Sequence, residues 1–207
     1  MKKSHFLGWM FRLGFIRRWD RMDVQKQTDV NLHSHCLNVA VVSHLLGVIR
    51  NTIYGGNVNA DRLAVLAMYH EMAESITSDI ISPIKYANKE IAKQFKLIED
   101  VAEKSCVKTL PVALQGEFEG LIIQENVDAE YKRIIKAADI IVALSKAKEE
   151  VDVAKNMDFI DAKTNLANKL DSFMDMKEVA YFVETFTDGY AITIDKLMSA
   201  NELNAPK

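Results

Sequence analysis

The sequence has 207 residues, of which 49% are hydrophobic, and a formal net charge of −3. This size and apolar content fit a single domain over residues 1–207, and the acidic balance excludes the broad basic surface that a nucleic acid polymer requires. Only eight glycines and three prolines occur, which predicts an all-α chain. Cys36 and Cys106 lie far apart, so they indicate no disulfide framework and no thiolate zinc site, and they favour a reducing, cytoplasmic location.

Helical periodicity and end signals divide the chain into nine predicted helices. Ser4 and Asn59 are placed to cap the first and third of them, and Gly55-Gly56 breaks the chain after the second. Two polar stretches, 18–31 and 77–83, are predicted loops. No stretch predicts a membrane span or a cleaved signal, so we expect no membrane partner. Apart from the third, the predicted helices cover residues 4–16, 33–50, 88–107, 112–124, 128–151, 159–173, 177–186 and 192–200.

Three ionisable side chains lie together where the third helix is predicted to end. His70 and Glu74 are one helical turn apart, and Glu71 precedes Glu74 by three residues, so three polar groups project from one helix end. A frayed, solvated helix end explains these residues equally well. A zinc protease would need histidine in place of Glu74, so the HExxH pattern is not met.

Asp139 and His35 each occur in an apolar helical stretch. Asp139 lies in the apolar run 134–142, where an ionised carboxylate is costly unless a cation or hydrogen-bond donors compensate it. An ion pair with Lys or Arg is the ordinary solution, whereas the presence of His70 and Glu71 favours a metal ion. His35 lies in the first turn of the second helix, where its ring can face the interior. The alternative for His35 is a hydrogen-bonded core histidine.

Two imidazoles and two carboxylates form a mixed nitrogen and oxygen ligand set. Such a set suits one divalent transition metal, namely cobalt, manganese, zinc or iron, and suits magnesium less. A metal with open positions polarises a phosphoryl oxygen and lowers the pKa of a bound water, which then attacks phosphorus. The sequence therefore predicts a metal site formed by His35, His70, Glu71 and Asp139.

The order of these four residues resembles the H…HD…D signature of HD-domain phosphohydrolases, and the surrounding sequence looks like the bacterial 5′-deoxynucleotidase family, YfbR-like. The resemblance implies an all-α HD-domain helical bundle, usually a homodimer. It also implies hydrolysis of deoxyribonucleoside 5′-monophosphates to a deoxynucleoside and phosphate. The similar stretches extend over nearly the whole chain and comprise residues 18–19, 35–40, 55–59, 66–71, 79–86 and 181–182.

The same resemblance implies roles for individual residues. Arg18 and Trp19 would contact the nucleotide and favour a deoxy sugar, and Glu74 would be the catalytic carboxylate that positions or activates the attacking water. A loop that begins at Asp79 would hold the substrate, with the Asp79 carboxylate bonded to the sugar 3′ hydroxyl. The implied substrate-binding residues are Arg18, Trp19, His35, Glu71, Asp79, Ile80, Ile81, Ser82 and Asp139.

Two positions depart from the pattern of that family. Glu71 stands where the family has Asp, which lengthens the side chain by about 1.5 Å, one carbon–carbon bond, and Ile81 stands where the family has Pro. Two other functions therefore stay open. One is a deoxynucleoside triphosphate triphosphohydrolase, acting for example on dATP and releasing triphosphate, because related HD enzymes use the same ligands. The other is a catalytically impaired HD domain that only binds a nucleotide or a partner, because Glu71 changes the geometry of the metal site.

Overall fold

In the computed structural model of the protein, residues 3–186 and 192–202 are described, and within these ranges the chain forms α-helices and no β-strand. The all-α prediction is therefore confirmed. The helices are α1 (Phe6–Arg12), α2 (Leu32–Tyr54), α3 (Ala60–Tyr69), α4 (Glu74–Thr77), α5 (Ser82–Lys85), α6 (Lys89–Lys108), α7 (Val112–Ile122), α8 (Ala129–Lys148), α9 (Ile160–Asp171), α10 (Lys177–Phe186) and α11 (Ile194–Glu202). The single-domain prediction for residues 1–207 includes residues outside the described ranges.

Helix α2 is the central element, and it packs against α3, α8 and α10. It begins at a capping box, in which the Asn31 side chain accepts a hydrogen bond from the Ser34 backbone N–H at 3.0 Å. It ends at Gly55, whose φ of 67° suits the left-handed conformation that glycine adopts without strain. Because that glycine is the true stop signal, the helix is longer than the predicted 33–50.

Helix α2 is also long and apolar enough to cross a membrane by length and composition alone. Half of its apolar window is buried inside the protein, however. This burial is typical of a core helix. Helix α3 approaches α2 closely at Gly47, which has no side chain. A Cβ added at Gly47 would lie 2.8 Å from a side-chain carbon of Leu63 in α3.

Two groups of buried apolar side chains meet at the ends of α2 and α3. The larger group includes Val39 of α2 and Ala67 of α3. The smaller group includes Leu32, at the start of α2, and Met72, just after α3. His35 and the pair at residues 70–71 therefore lie, along the chain, between residues of the two groups. The polar side chains that the sequence singles out are placed at the junction of two apolar cores.

Several element ends differ from the prediction because tertiary contacts intervene. His5, not Ser4, takes the N-cap position of α1, and it makes no side-chain bond there. The Ser4 hydroxyl accepts from the Phe6 N–H at 3.3 Å, as a capping residue does, and also donates to the Thr109 carbonyl at 2.7 Å. The predicted loop 77–83 contains the start of α5, which has proline in its first turn, a favourable position for proline. Helix α8 ends at Lys148 and continues as a wide π-type turn, Glu149–Val153.

Candidate metal centre and active site

His35 enters the site from the first turn of α2, and its side chain is fully buried. Its Nδ1 lies 3.0 Å from Asp29 Oδ1, the contact that fixes the tautomer and orientation of a metal-binding histidine. Its Nε2 lies 3.2 Å from Asp139 Oδ1, but that nitrogen makes no aligned hydrogen bond among the described residues.

His70 is the C-cap residue that follows α3, and its Nδ1 lies 2.6 Å from the Ala67 carbonyl oxygen, which leaves Nε2 without a hydrogen bond among the described residues. The Glu71 Oε1 atom lies 3.4 Å from that Nε2. The prediction that His70 and Glu74 share one helical turn is wrong, because α3 ends at Tyr69 and Glu74 begins the separate helix α4. The turn between the helices, rather than helical spacing, brings these groups together.

Asp139 comes from the middle of α8, across from both histidines. Its Oδ2 accepts a bond from Lys136 Nζ at 2.7 Å, so the ordinary ion pair expected for a buried carboxylate is present, yet it satisfies only one of the two oxygens. One ligand atom from each of the four residues His35, His70, Glu71 and Asp139 lies within 4.8 Å of the others.

This group of four fits a divalent ion. Ligand atoms bound at about 2.0–2.2 Å from one metal are at most about 4.4 Å apart. Four ligands arranged tetrahedrally at these distances are about 3.4 Å apart, so separations of up to 4.8 Å would have to shrink by at most about 1.4 Å on metal binding. The longer side chain of Glu71 still places a carboxylate oxygen in the group of four.

The site contains most of the buried polar atoms that make no aligned hydrogen bond within the described residues. Within the described residues, eight buried side-chain nitrogens or oxygens make no hydrogen bond, and six of them belong to this region. Buried polar groups are normally paired, so an accumulation of unpaired ones marks a place where a ligand completes them. The six atoms are Arg18 Nε, Trp19 Nε1, Asp29 Oδ2, His35 Nε2, His70 Nε2 and Glu74 Oε2.

The charges of the four residues favour a cation between them. Burial lowers the pKa of His70. Burial and Arg18 also lower the pKa of His35, but the contacts with Asp139 and Asp29 outweigh them and raise it above the ordinary value. Burial raises the pKa of Asp139, yet His35 and Lys136 bring it well below its usual range. The carboxylate at Asp139 is therefore ionised, as a metal ligand must be.

Glu74 is buried beside this group. Burial, together with the negative charges of Glu71 and Asp79, raises the pKa of Glu74 to about 10. A carboxyl group whose proton affinity is set by its neighbours in this way is suited to exchanging a proton with a reacting molecule.

Arg18 and Trp19 lie at the start of the connection between α1 and α2. The Arg18 guanidinium is 5.9 Å from the Trp19 ring, and its Nε is 3.5 Å from Asp29 Oδ2. Burial lowers the pKa of Arg18, but Asp29, Asp139, Glu71 and Asp79 raise it, in that order of strength. The structure thus brings Arg18 beside the candidate metal ligands Asp139 and Glu71. Trp19 packs against Phe159, with ring centroids 5.3 Å apart.

The predicted substrate loop is brought to the site only in part. Asp79 is half-buried, and burial raises its pKa, while Arg18 lowers it and Glu71 raises it. Ile80 and Ile81 are half-buried in the link before α5, and Ser82 is exposed at the first position of that helix. Asp79 therefore shares the electrostatic environment of the metal centre, whereas Ser82 lies at the surface.

Residues 5–190 match the sequence family described as 5′-deoxynucleotidase YfbR-like. The chain belongs to this family. It is 39% identical over 203 residues to the 5′-deoxynucleotidase YfbR of Escherichia coli O127:H6, covering 98% of this chain and 100% of that protein. It is also 39% identical over 197 residues to the 5′-deoxynucleotidase of Vibrio cholerae O1, covering 95% and 100% respectively.

Solved structures place this YfbR-like chain in the HD-domain fold. An HD-domain phosphohydrolase from Listeria innocua matches with a TM-score of 0.78 at 18% identity, covering 90% of this chain and 88% of that one. The HD phosphohydrolase of cyanophage S-2L, bound to dA and one catalytic Zn²⁺ ion, matches with a TM-score of 0.62 at 17% identity, covering 91% and 98%. The predicted HD-domain helical bundle is therefore confirmed.

One residue of the YfbR-like site is absent from the sequence predictions. Asp29 is 3% exposed and contacts both His35 and Arg18. It lies in the stretch predicted to be a polar loop, where an Asp ahead of the Asn31 cap is unremarkable. A metal-binding histidine usually donates its other ring N–H to a carboxylate or a carbonyl oxygen. That general rule was the signal in the sequence that could have pointed to an Asp near His35.

Proposed function

We propose that this protein is a metal-dependent 5′-deoxynucleotidase that converts a deoxyribonucleoside 5′-monophosphate and water into a deoxynucleoside and phosphate. The observation that carries the proposal is the cluster of His35, His70, Glu71 and Asp139, bordered by buried polar atoms without partners. The activity for which the relatives are named, 5′-deoxynucleotidase, supports the substrate class.

The proposed cofactor is one divalent transition metal held by the same four residues. Two histidine nitrogens and two carboxylate oxygens favour zinc, manganese, cobalt or iron over magnesium. The single Zn²⁺ of the cyanophage S-2L phosphohydrolase supports one ion per chain. When bound, such an ion polarises a phosphoryl oxygen and makes a coordinated water more acidic.

Glu74 is the proposed catalytic carboxyl group. During hydrolysis the water oxygen bonds to phosphorus, the bond from phosphorus to the 5′ oxygen breaks, and that oxygen gains a proton. Glu74 Oε2 is buried without a hydrogen-bond partner and so is available to the reacting atoms. The negative charge of Glu71 is one cause of the raised pKa of Glu74. A cation that neutralises the Glu71 carboxylate would therefore lower the pKa of Glu74 towards the range of a general base.

Arg18, Trp19 and Asp79 are the proposed substrate contacts, together with the loop residues Ile80, Ile81 and Ser82. The Arg18 guanidinium offers planar donors to phosphate oxygens, and the Trp19 ring offers a surface for the sugar or base. Asp79 is placed to accept a hydrogen bond from the sugar 3′ hydroxyl. The dA bound to the cyanophage protein supports a deoxynucleoside product.

The number of available cations favours a monophosphate over a triphosphate. Lys85 is paired with Glu99, and Lys136 is paired with Asp139. Arg18 is also paired, with Asp29 at 3.5 Å, but its buried Nε makes no aligned hydrogen bond among the described residues, so Arg18 is the cation proposed to meet the phosphate. A triphosphate leaving group would need several such donors, so triphosphohydrolase activity is the alternative that the assay must test.

The oligomeric state proposed is a homodimer. Exposed apolar side chains of α4 and α6 surround a shallow cavity of about 330 Å³, and a second copy of this chain would cover them. They include Ile76, Leu97, Ile98 and Val101. Mass measurement by light scattering, with Val101→Glu as the disrupting variant, tests this assignment. We also propose a single domain and a cytoplasmic location, without a membrane or nucleic acid partner.

The test is a release assay on metal-stripped protein resupplied with zinc, manganese, cobalt or magnesium. Each deoxynucleoside mono- and triphosphate is offered, and orthophosphate is separated from triphosphate. Orthophosphate from monophosphates, in a metal-dependent manner, is the expected result. Release of triphosphate instead identifies a triphosphohydrolase, and a metal-bound but inert protein contradicts the proposal and favours an impaired HD domain.

A further inference from the structure

The segment 17–31, here called the site loop, contributes Arg18 and Asp29 to the candidate site and carries Trp19, a proposed substrate contact. It contains no helix. Its two ends are joined by backbone bonds, from Arg18 N–H to the Val30 carbonyl at 2.9 Å and from Leu32 N–H to the Ile16 carbonyl at 3.2 Å. The apex of the loop, residues 23–28, lies beyond these bonds and needs other partners to hold it.

A buried ion pair holds that apex. The carboxylate of Glu150 accepts hydrogen bonds from the Gln25 N–H at 3.1 Å and the Lys26 N–H at 2.8 Å. The Lys146 ammonium donates to the Lys26 carbonyl and to Glu150 Oε1, both at 2.7 Å. The Lys146 and Glu150 side chains are 1% and 0% exposed.

Three of the bonds made by this pair reach the loop backbone directly. The Asn156 side chain adds a donor to Glu150 at 2.9 Å and a second bond to the Asp23 carbonyl at 2.6 Å. Burial raises the pKa of Glu150, but the bonds from Lys146, Asn156 and the loop backbone lower it to about 2. An apolar pair of similar size would stabilise a protein equally well. The charges are needed here because the apex presents backbone N–H and carbonyl groups that an apolar pair cannot satisfy.

We propose that Glu150, held in place by Lys146, is a positioning residue that sets Arg18 and Trp19 against the metal centre by fixing the apex of the site loop. The role of that loop in substrate binding rests on the proposed function. Helix α8 carries Asp139, and Glu150 lies in the turn that continues it, about 16 Å further along at 1.5 Å per residue. Helix α8 and the turn that continues it thereby fix both a candidate metal ligand and the apex of the site loop.

The backbone of the site loop shows why it needs to be held. Trp19 and Asp29 have φ angles of 60° and 50°, in the left-handed region that side chains other than glycine rarely adopt. Such conformations persist only where surrounding contacts determine them. Loss of the Glu150 contacts would let Trp19 relax and leave Phe159, against which its ring now packs.

Trp19 itself reports the position of the loop. The chain has two tryptophans, so Trp9→Phe leaves Trp19 as the only one. In that background, Glu150→Ala should shift the Trp19 emission to longer wavelength and increase its quenching by acrylamide at least about twofold, as expected when a packed ring becomes solvated. Unchanged emission and quenching would overturn the proposal, whatever the protein catalyses.

Kinetics separate positioning from general stability. We expect Glu150→Ala to raise KM for deoxynucleoside monophosphates about tenfold or more, because the substrate loses roughly one good contact. We expect kcat to change less than about threefold and metal content to stay unchanged. The matched control is Glu178→Ala, which removes another buried carboxylate, bonded to Arg50 at 3.2 Å. Arg50 lies about 22 Å along α2 from His35, so the control should lower Tm without changing KM or Trp19 emission.

A second variant guards against unfolding of Glu150→Ala, which leaves the buried Lys146 charge unpaired. The double variant Lys146→Met with Glu150→Gln carries no unpaired charge, and we expect it to fold while still loosening the loop and raising KM. A folded double variant with wild-type KM and Trp19 emission would refute the proposal. If the wild type hydrolyses no deoxynucleotide, the proposed function fails, and the Trp19 signal alone decides whether Glu150 positions the loop.

Discussion

Asn in place of Asp29 should weaken metal binding although Asp29 is not itself a ligand. Asp29 accepts the hydrogen bond from His35 Nδ1 at 3.0 Å and lies 3.5 Å from Arg18 Nε. Its φ is 50°, and asparagine tolerates that conformation well. Asp29→Asn therefore keeps size and backbone and removes one negative charge.

The expected loss follows from the role of a carboxylate behind a metal-binding histidine. Removing such a partner typically costs 10- to 100-fold in metal affinity, about 1.4–2.7 kcal/mol. KM should rise as well, because an asparagine amide either gives up the bond from His35 or turns its N–H₂ towards the Arg18 guanidinium. Calorimetric titration of the metal-stripped protein with zinc or manganese measures the first effect directly.

The chain offers a matched control for this substitution. Asp61 lies 3.3 Å from His44 Nε2 at the surface, where its side chain is 93% exposed. Asp61→Asn makes the same chemical change to a histidine–carboxylate pair outside the site and should leave metal affinity unchanged. If Asp29→Asn binds metal within about twofold of wild type, as Asp61→Asn should, the second-nitrogen argument is refuted.

Substitutions at three further positions test the proposed roles of Glu74 and Glu71 and the buried charge of Glu103. Glu74→Gln keeps the shape but cannot exchange a proton, so kcat should fall by about 10²- to 10⁴-fold with normal metal content, and a normal kcat would remove Glu74 from the mechanism. Glu71→Asp keeps the charge and should still bind metal, whereas Glu71→Gln should lose at least about tenfold in metal affinity, about 1.4 kcal/mol. Equal metal affinities of Glu71→Gln and the wild type would show that Glu71 is not a ligand. Burial raises the pKa of Glu103 to about 7, an effect that the bond from the Gln124 N–H opposes and the negative charges of Glu99 and Asp100 reinforce. The folded protein therefore binds this proton more tightly than the unfolded chain, and stability falls as pH rises from about 4.5 to about 7. Glu103→Gln should recover up to about 3 kcal/mol at pH 8 and little at pH 4, whereas the exposed Glu117→Gln should change neither value in denaturant titrations.

The elements that sequence predicts best depend on neighbours in the chain. Asn59 and Asp128 accept capping bonds from the Arg62 and Glu130 backbone N–H groups, and both starts match the predicted helices. Gly55 ends α2 because its own φ is positive. These signals lie within one helical turn of the boundary that they determine, so no tertiary information is needed to detect them.

The features that the sequence does not predict depend on distant partners. The Ser4 hydroxyl accepts from the Phe6 N–H of its own helix and also donates to the distant Thr109 carbonyl, and only the first bond follows from the local sequence. Glu150 gains its role from the backbone at residues 25–26, more than a hundred positions away. The break between α3 and α4 also escaped the periodicity, because residues 70–74 read as one helix although the chain turns there. The four predicted ligands are brought together, but by a turn and by long-range packing rather than by helical spacing.

The central claim is that His35, His70, Glu71 and Asp139 hold one divalent ion that hydrolysis requires. Its most direct test is the metal content of protein that has been stripped, reloaded with zinc or manganese and freed of excess ion, comparing the wild type with His70→Ala and His44→Ala. The account predicts a single bound ion and orthophosphate release from deoxynucleoside monophosphates for the wild type and His44→Ala, with neither for His70→Ala. Equal metal content in wild type and His70→Ala, or full activity in stripped protein, would contradict it.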